Sequence, residues 1–158
     1  ANTFSKTFGM TGWRIGYVVV PDEMASRMVS LNQITISNVP VFLQNAACAA
    51  MDERDAAAEK ARILCKKRAE IAEKMLARHM IFSKPSAGFY LFPKLSESID
   101  TNLFVEKLLD KSVAVAPGAA FGDYKQHIRI SLCREDAVLK NALEKIIEVV
   151  EECEKNRL

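Results

Sequence analysis

Residues 3 to 17 read Thr3-Phe4-Ser5-Lys6-Thr7-Phe8-Gly9-Met10-Thr11-Gly12-Trp13-Arg14-Ile15-Gly16-Tyr17. One lysine sits among hydroxyls and aromatics, a glycine-bearing loop follows, and Arg14 precedes the apolar run Ile15 to Val20. A loop of this composition suits an anionic ligand held by an amine and a guanidinium. Lys6-Thr7 invites comparison with a nucleotide phosphate loop, but that pattern needs glycine immediately before the lysine and another five positions earlier. Ser5 holds the nearer position and the sequence supplies nothing at the farther one, which argues against a nucleotide loop. An exposed lysine in a surface loop is the ordinary alternative for such a residue seen alone.

The stretch Ser5 to Tyr17 resembles, through consecutive positions, the internal-lysine motif of the aspartate-aminotransferase-like family of pyridoxal-phosphate enzymes. The resemblance implies that Lys6 forms the imine with the aldehyde of pyridoxal 5'-phosphate and that Arg14 binds the cofactor phosphate. It implies that Ser5 and Thr3 add hydroxyl donors near that phosphate. The residue types suit those roles. An amine must shed its proton before attacking a carbonyl, and lysine does so most readily when desolvated or set beside other cations. A guanidinium offers phosphate a planar fork of donors, with charged hydrogen bonds of about 1.5–3 kcal/mol each.

A second stretch carries the likeness to the C-terminal end. Val113-Ala114-Val115-Ala116-Pro117-Gly118-Ala119-Ala120-Phe121-Gly122, followed by Ile128-Arg129-Ile130-Ser131, resembles the family's C-terminal signature. There the resemblance makes Arg129 the residue that grips the substrate carboxylate. Taken alone, an arginine on the polar side of a half-buried strand simply meets solvent, and its place after the lysine motif, in family order, is what selects the substrate role. Gly88 to Phe92 resembles the family's small domain. Its aromatic residues are expected in the core, and Phe121 either borders the substrate pocket or packs inside.

Composition excludes other classes. In 158 residues, 22 basic side chains against 20 acidic give a net charge of +2, spread along the chain, which makes no electrostatic case for nucleic acid or an anionic membrane. Cys48, Cys65, Cys133 and Cys153 are widely separated, with no Cys-x-x-Cys pair, and are expected as free thiols in a reducing compartment. His79 and His127 stand alone and are left outside the site. No metal is expected. No run approaches the ~18 apolar residues of a spanning helix, and no leader opens the chain, so a cytoplasmic protein is expected.

The periodicity predicts a buried strand over 15–20 and a helix over 23–35 with Asp22 as N-cap. A helix follows over 41–51 with Pro40 in its first turn. The next, over 52–78, carries an apolar stripe of Ile63, Leu64, Ile71 and Met75 and a Glu70–Lys74 pair. Met80 to Phe82 and Phe89 to Phe92 read as two strands around Pro85-Ser86-Ala87-Gly88. A helix capped by Asp100 or Thr101 runs to about Lys111, with Phe104, Val105, Leu108 and Leu109 facing inward. A short strand is expected over 113–116. The alternation Ile128, Ile130, Leu132 predicts a half-buried strand that leaves Arg129 and Ser131 on its other face. Leu139, Leu143, Ile146, Val150 and Cys153 mark a last helix over 135–154.

The fold class expected is α/β, the C-terminal part of a fold type I pyridoxal-phosphate transferase. Residues 1–35 would finish the large cofactor-binding domain and residues 36–158 would form the small α+β domain. The reaction implied is transamination between an amino acid and a 2-oxo acid in a full-length homodimer. The acid facing the pyridine nitrogen, the ring-stacking aromatic, the phenol near the cofactor oxygen and further phosphate ligands would lie upstream, so the chain by itself is expected to be inactive. A noncatalytic packing or dimerisation domain and a related pyridoxal-phosphate lyase or synthase are the alternatives.

Overall fold

The computed structural model describes residues 1–155, and their backbone falls into two units, Ala1–Arg62 and a second that begins at Ile63. In the first unit, β1 (Asn2–Thr3) pairs antiparallel with β2 (Gly16–Tyr17), Asn2 opposite Tyr17 and Thr3 opposite Gly16. A Cβ at residue 16 would lie 2.6 Å from the Asn2 carbonyl oxygen, so this pairing requires glycine. The six-residue buried strand expected over 15–20 is corrected to these two residues. Val18 and Val19 are 45% and 83% exposed, because two residues of β1 cannot pair the backbone of a longer strand.

Helices α1 (Asp22–Thr35) and α2 (Val41–Asp52) follow. Asp22 is not the N-cap. Pro21 takes that position with ψ 150°, while Asp22 and Glu23 place carboxylates in the first turn, where they complement the exposed N–H groups. No α1 residue is buried: Leu31 is 54% exposed and Met28 half-buried. Pro40 caps α2 from just outside the first turn. Ala47 of α2 packs with Phe4 and Ile15 to form the unit's small core, joined at its edge by Phe8, Met10, Val39, Leu43, Ala50 and Met51.

Helix α3 (Arg54–Leu76) carries the boundary between the units. In the second unit, β3 (Tyr90–Leu91) and β4 (Ala116–Pro117) flank β5 (Ile128–Ser131) in an antiparallel sheet, accompanied by α4 (Thr101–Asp110) and α5 (Asp136–Lys155). The hairpin expected around Pro85 does not form. Ile81 instead bridges Lys94, which also bridges His127. Pro93 has no N–H to extend the β3 ladder. The short strand expected over 113–116 lies later, at Ala116–Pro117.

Apolar periodicity decides the helices. Leu139, Leu143, Ile146, Val149 and Val150 of α5 are buried, each removal from water stabilising by about 1.5–3 kcal/mol. On α4, Phe104 and Leu108 are fully buried, whereas Leu109, expected inward, is 54% exposed, since it lies about 100° round the helix from Leu108. Asp100 caps this helix, its carboxylate accepting from the Asn102 and Leu103 N–H groups at 2.8 and 3.0 Å. On α3 the expected stripe is corrected in part. Ile71 and Met75 pack, partly buried, against the core, but Ile63 and Leu64 are 56% and 38% exposed, and the buried residues are Ala69, Ala72 and Leu76.

The Glu70–Lys74 pair is replaced by longer-range pairs. Lys84 meets Glu73 at 2.9 Å, and Asp136 at the start of α5 takes Lys67 at 2.5 Å and Arg68 at 3.2 Å, both from α3. Hydrogen bonds first from Lys67 and then from Arg68 hold the Asp136 carboxyl below its ordinary value of 3.8. A carboxyl with a depressed folded pKa contributes stability that is complete above the unfolded value and is lost as pH falls through the folded one. We expect urea midpoints of the natural chain to fall faster than those of Asp136→Asn as pH drops from about 5 through the carboxylate range. Parallel pH profiles would refute the linkage.

Candidate functional site

Lys6 occupies the exposed turn of a loop whose two ends are tied down. Phe4 and Ile15 are buried, the Phe4 N–H donates to the Ile15 carbonyl at 3.3 Å, and the Met10 N–H donates back to the Phe4 carbonyl at 3.4 Å. The Phe4 ring is itself fixed by Phe8 and Tyr17, with centroids 5.2 and 5.7 Å away. The aromatics therefore anchor the loop, and the lysine between them reaches outward.

The hydroxyls expected near a phosphate do come together. Thr3 Oγ1 donates to Ser5 Oγ at 3.0 Å and the Ser5 N–H donates to Thr3 Oγ1 at 3.2 Å, with Ser5 buried beside the exposed Lys6. Ser5 Oγ accepts in this pair, so its own O–H remains a donor. Arg14 ends the short 3-10 turn Thr11–Trp13 in the left-handed conformation, φ 52° and ψ 45°, uncommon for a residue other than glycine. Its Nη1 donates to the Thr11 carbonyl at 3.0 Å, which leaves further guanidinium donors. Thr3, Ser5, Lys6 and Arg14 thus belong to one loop of the first unit. A hollow of about 650 Å³ in that unit is lined by Phe4, Ile15, Tyr17 and Met51, not by Lys6 or Arg14, and carries none of this chemistry.

Arg129 belongs to the second unit. It lies on β5 between buried Ile128 and Ile130, directly across from Ala116. Its guanidinium carbon stands 4.4 Å from the Tyr90 ring centroid and 4.3 Å from that of Phe121. Neither ring is in the core: Tyr90 is 37% and Phe121 42% exposed. Phe121 therefore does not pack inside, one of the two places expected for it. Tyr90, expected inside, is the residue that sequence reasoning missed. Its signal was the register, since alternate residues of paired strands share a face.

Beyond Phe121 the aromatic row continues. Phe92 meets Phe121 edge-on at 6.1 Å and stacks on His127 at 5.0 Å. The turn that carries Phe121 is fixed by Gly118, whose N–H donates to the His127 carbonyl at 2.6 Å. A Cβ there would collide with the Tyr124 carbonyl and lie 2.7 Å from that of His127.

The sequence profile of the family "Aminotransferase class I and II" matches residues 1–146. The chain belongs to that family. It is 40% identical over 129 residues to the aspartate aminotransferase of Thermococcus kodakarensis, covering 82% of this chain and 35% of that protein. It is 36% identical to the aspartate aminotransferase of Pyrococcus horikoshii, covering 96% of this chain and 40% of that one. Among solved structures, the aromatic aminotransferase of Pyrococcus horikoshii superposes with a TM-score of 0.85 at 33% identity, over 96% of this chain and 42% of that one. The fold is thus that of fold type I aminotransferases, of which this chain spans about two fifths of the length.

The four cysteines of this aminotransferase chain are free, and burial pushes the thiols of Cys65 and Cys153 up. Among the described residues no three His, Cys, Asp or Glu side chains cluster as a metal site, and no helix is long and apolar enough to cross a membrane.

Proposed function

We propose that this chain is the C-terminal part of an aminotransferase that moves an amino group between an amino acid and a 2-oxo acid, using pyridoxal 5'-phosphate attached to Lys6. The observation that carries the reading is the anchored loop, where Lys6 is exposed beside the hydrogen-bonded Thr3–Ser5 pair and Arg14 follows with donors to spare. That donor set fits a phosphorylated aldehyde: one amine, one guanidinium and two hydroxyls. When bound, pyridoxal phosphate supplies an electron-withdrawing ring that makes the substrate Cα proton acidic.

The chain's own residues would supply part of the rest. Arg14, with Ser5 and Thr3, binds the phosphate; the Lys6 Nζ, once free, carries the proton to and from substrate; Arg129 holds the carboxylate so that the scissile Cα bond keeps one orientation. Residues 1–35 belong, in this reading, to the large cofactor-binding domain and 36–158 to the small one. The groups that face the pyridine nitrogen and stack on its ring lie in the remaining three fifths of the relatives' length, so the isolated chain is inactive. The full-length protein is a cytoplasmic homodimer, and a monomer mass by light scattering would overturn the dimer.

Borohydride reduction of the full-length protein with pyridoxal phosphate, followed by peptide mapping, tests the assignment. A pyridoxyl label on Lys6 is expected, and a label elsewhere or none would sink it. In the same protein Arg129→Lys removes a two-donor fork worth about 1.5–3 kcal/mol per charged hydrogen bond, so KM for the amino acid is expected to rise roughly ten- to a hundredfold. The Lys6 label should be unaffected. Loss of the label instead would mean that Arg129 acts on the cofactor.

A further inference from the structure

Arg129 is held by rings: among the described residues no carboxylate pairs with it, while Tyr90 and Phe121 flank its guanidinium carbon at 4.4 and 4.3 Å. A ring face attracts the positive charge without consuming any of the five N–H donors. An acidic neighbour would hold the side chain too, but would take the fork that a substrate carboxylate needs. Both rings are more than one third exposed, a poor use of aromatic side chains for stability alone.

The flanking residues come from independent supports. Tyr90 is placed by the β3–β5 ladder, opposite Ser131. Phe121 is placed by the turn fixed at Gly118 and by the Phe92 ring against it. A long, rotamer-rich side chain held from two elements loses less freedom when a carboxylate arrives.

We propose that Tyr90 and Phe121 are positioning residues that hold the Arg129 guanidinium with its N–H fork available to the carboxylate of the amino-acid or 2-oxo-acid substrate. The inference rests on the substrate role given to Arg129 above. In the full-length enzyme, Tyr90→Leu and Phe121→Leu keep apolar bulk and remove the rings. Each is expected to raise KM for the amino acid about tenfold while kcat changes less than about twofold. Tyr90→Phe and Phe121→Tyr retain a ring and should restore the natural KM.

Three results separate the possibilities. If Arg129→Lys raises KM and either leucine variant leaves it unchanged, the aromatic clamp is wrong and the role of Arg129 survives. If Arg129→Lys leaves KM unchanged, the underlying reading falls and takes the clamp with it. If the leucine variants lower kcat and thermal midpoint together without a KM shift, the rings are structural and the proposal is overturned.

Discussion

If Lys6 has the role proposed for it, Lys6→Ala in the full-length protein is expected to lower transamination by on the order of 10⁴-fold or more, because one substitution would then remove both the covalent attachment point and the group that moves the proton. The loss should be chemical and not structural. Lys6 is exposed, whereas the neighbours that tie the loop down, Phe4, Ser5 and Ile15, are buried and unchanged. Substitutions at exposed positions usually shift stability by less than about 0.5 kcal/mol. The urea midpoint should therefore stay in place while activity and the borohydride label vanish. A variant that kept its rate would move the reaction centre away from this loop. A variant that unfolded would make Lys6 a structural residue.

Phe104→Ala is expected to destabilise the second unit by about 3–5 kcal/mol, the usual cost of emptying a fully buried phenylalanine site. Phe104 has no exposed surface and belongs to a core with Leu76, Leu108, Leu143, Ile146 and Val150, which come from three helices. Little of that wall can close over the space without moving a helix. Leu109→Ala, one position past buried Leu108 and 54% exposed, should cost within about 0.5 kcal/mol and serves as the control. Urea denaturation followed by far-UV circular dichroism reads both. Equal shifts at the two positions would show that α4 does not face the core as described.

Much of the fold was legible because burial imposes a period. The alternation Ile128, Ile130, Leu132 and the spacing of Leu139, Leu143, Ile146 and Val150 each became a buried face. Legibility failed where packing depended on size. On α3 the expected stripe of Ile63, Leu64, Ile71 and Met75 reached the core only through Ile71 and Met75, while Ala69 and Ala72 are buried there, because a hydrophobic pattern records polarity and not the distance to the neighbouring element. It failed again at Val18 and Val19, whose strand-like composition has no ladder partner here. The loop itself was legible as a local feature, since Thr3, Ser5, Lys6 and Arg14 lie within twelve residues and the Thr3–Ser5 and Arg14–Thr11 hydrogen bonds span two and three positions.

The sequence by itself determined the family, the loop that carries Lys6 and Arg14, and the strand that carries Arg129, because each is written in consecutive or alternating residues. Only the tertiary structure decided what surrounds Arg129. Tyr90 and Phe121 lie 39 and 8 residues before it in the sequence and reach its guanidinium through strand register and a glycine-dependent turn. Contacts of that kind depend on how separate elements pair and on which way side chains face. A motif in one dimension does not encode those relations, so ring and cation meet only once the sheet has formed.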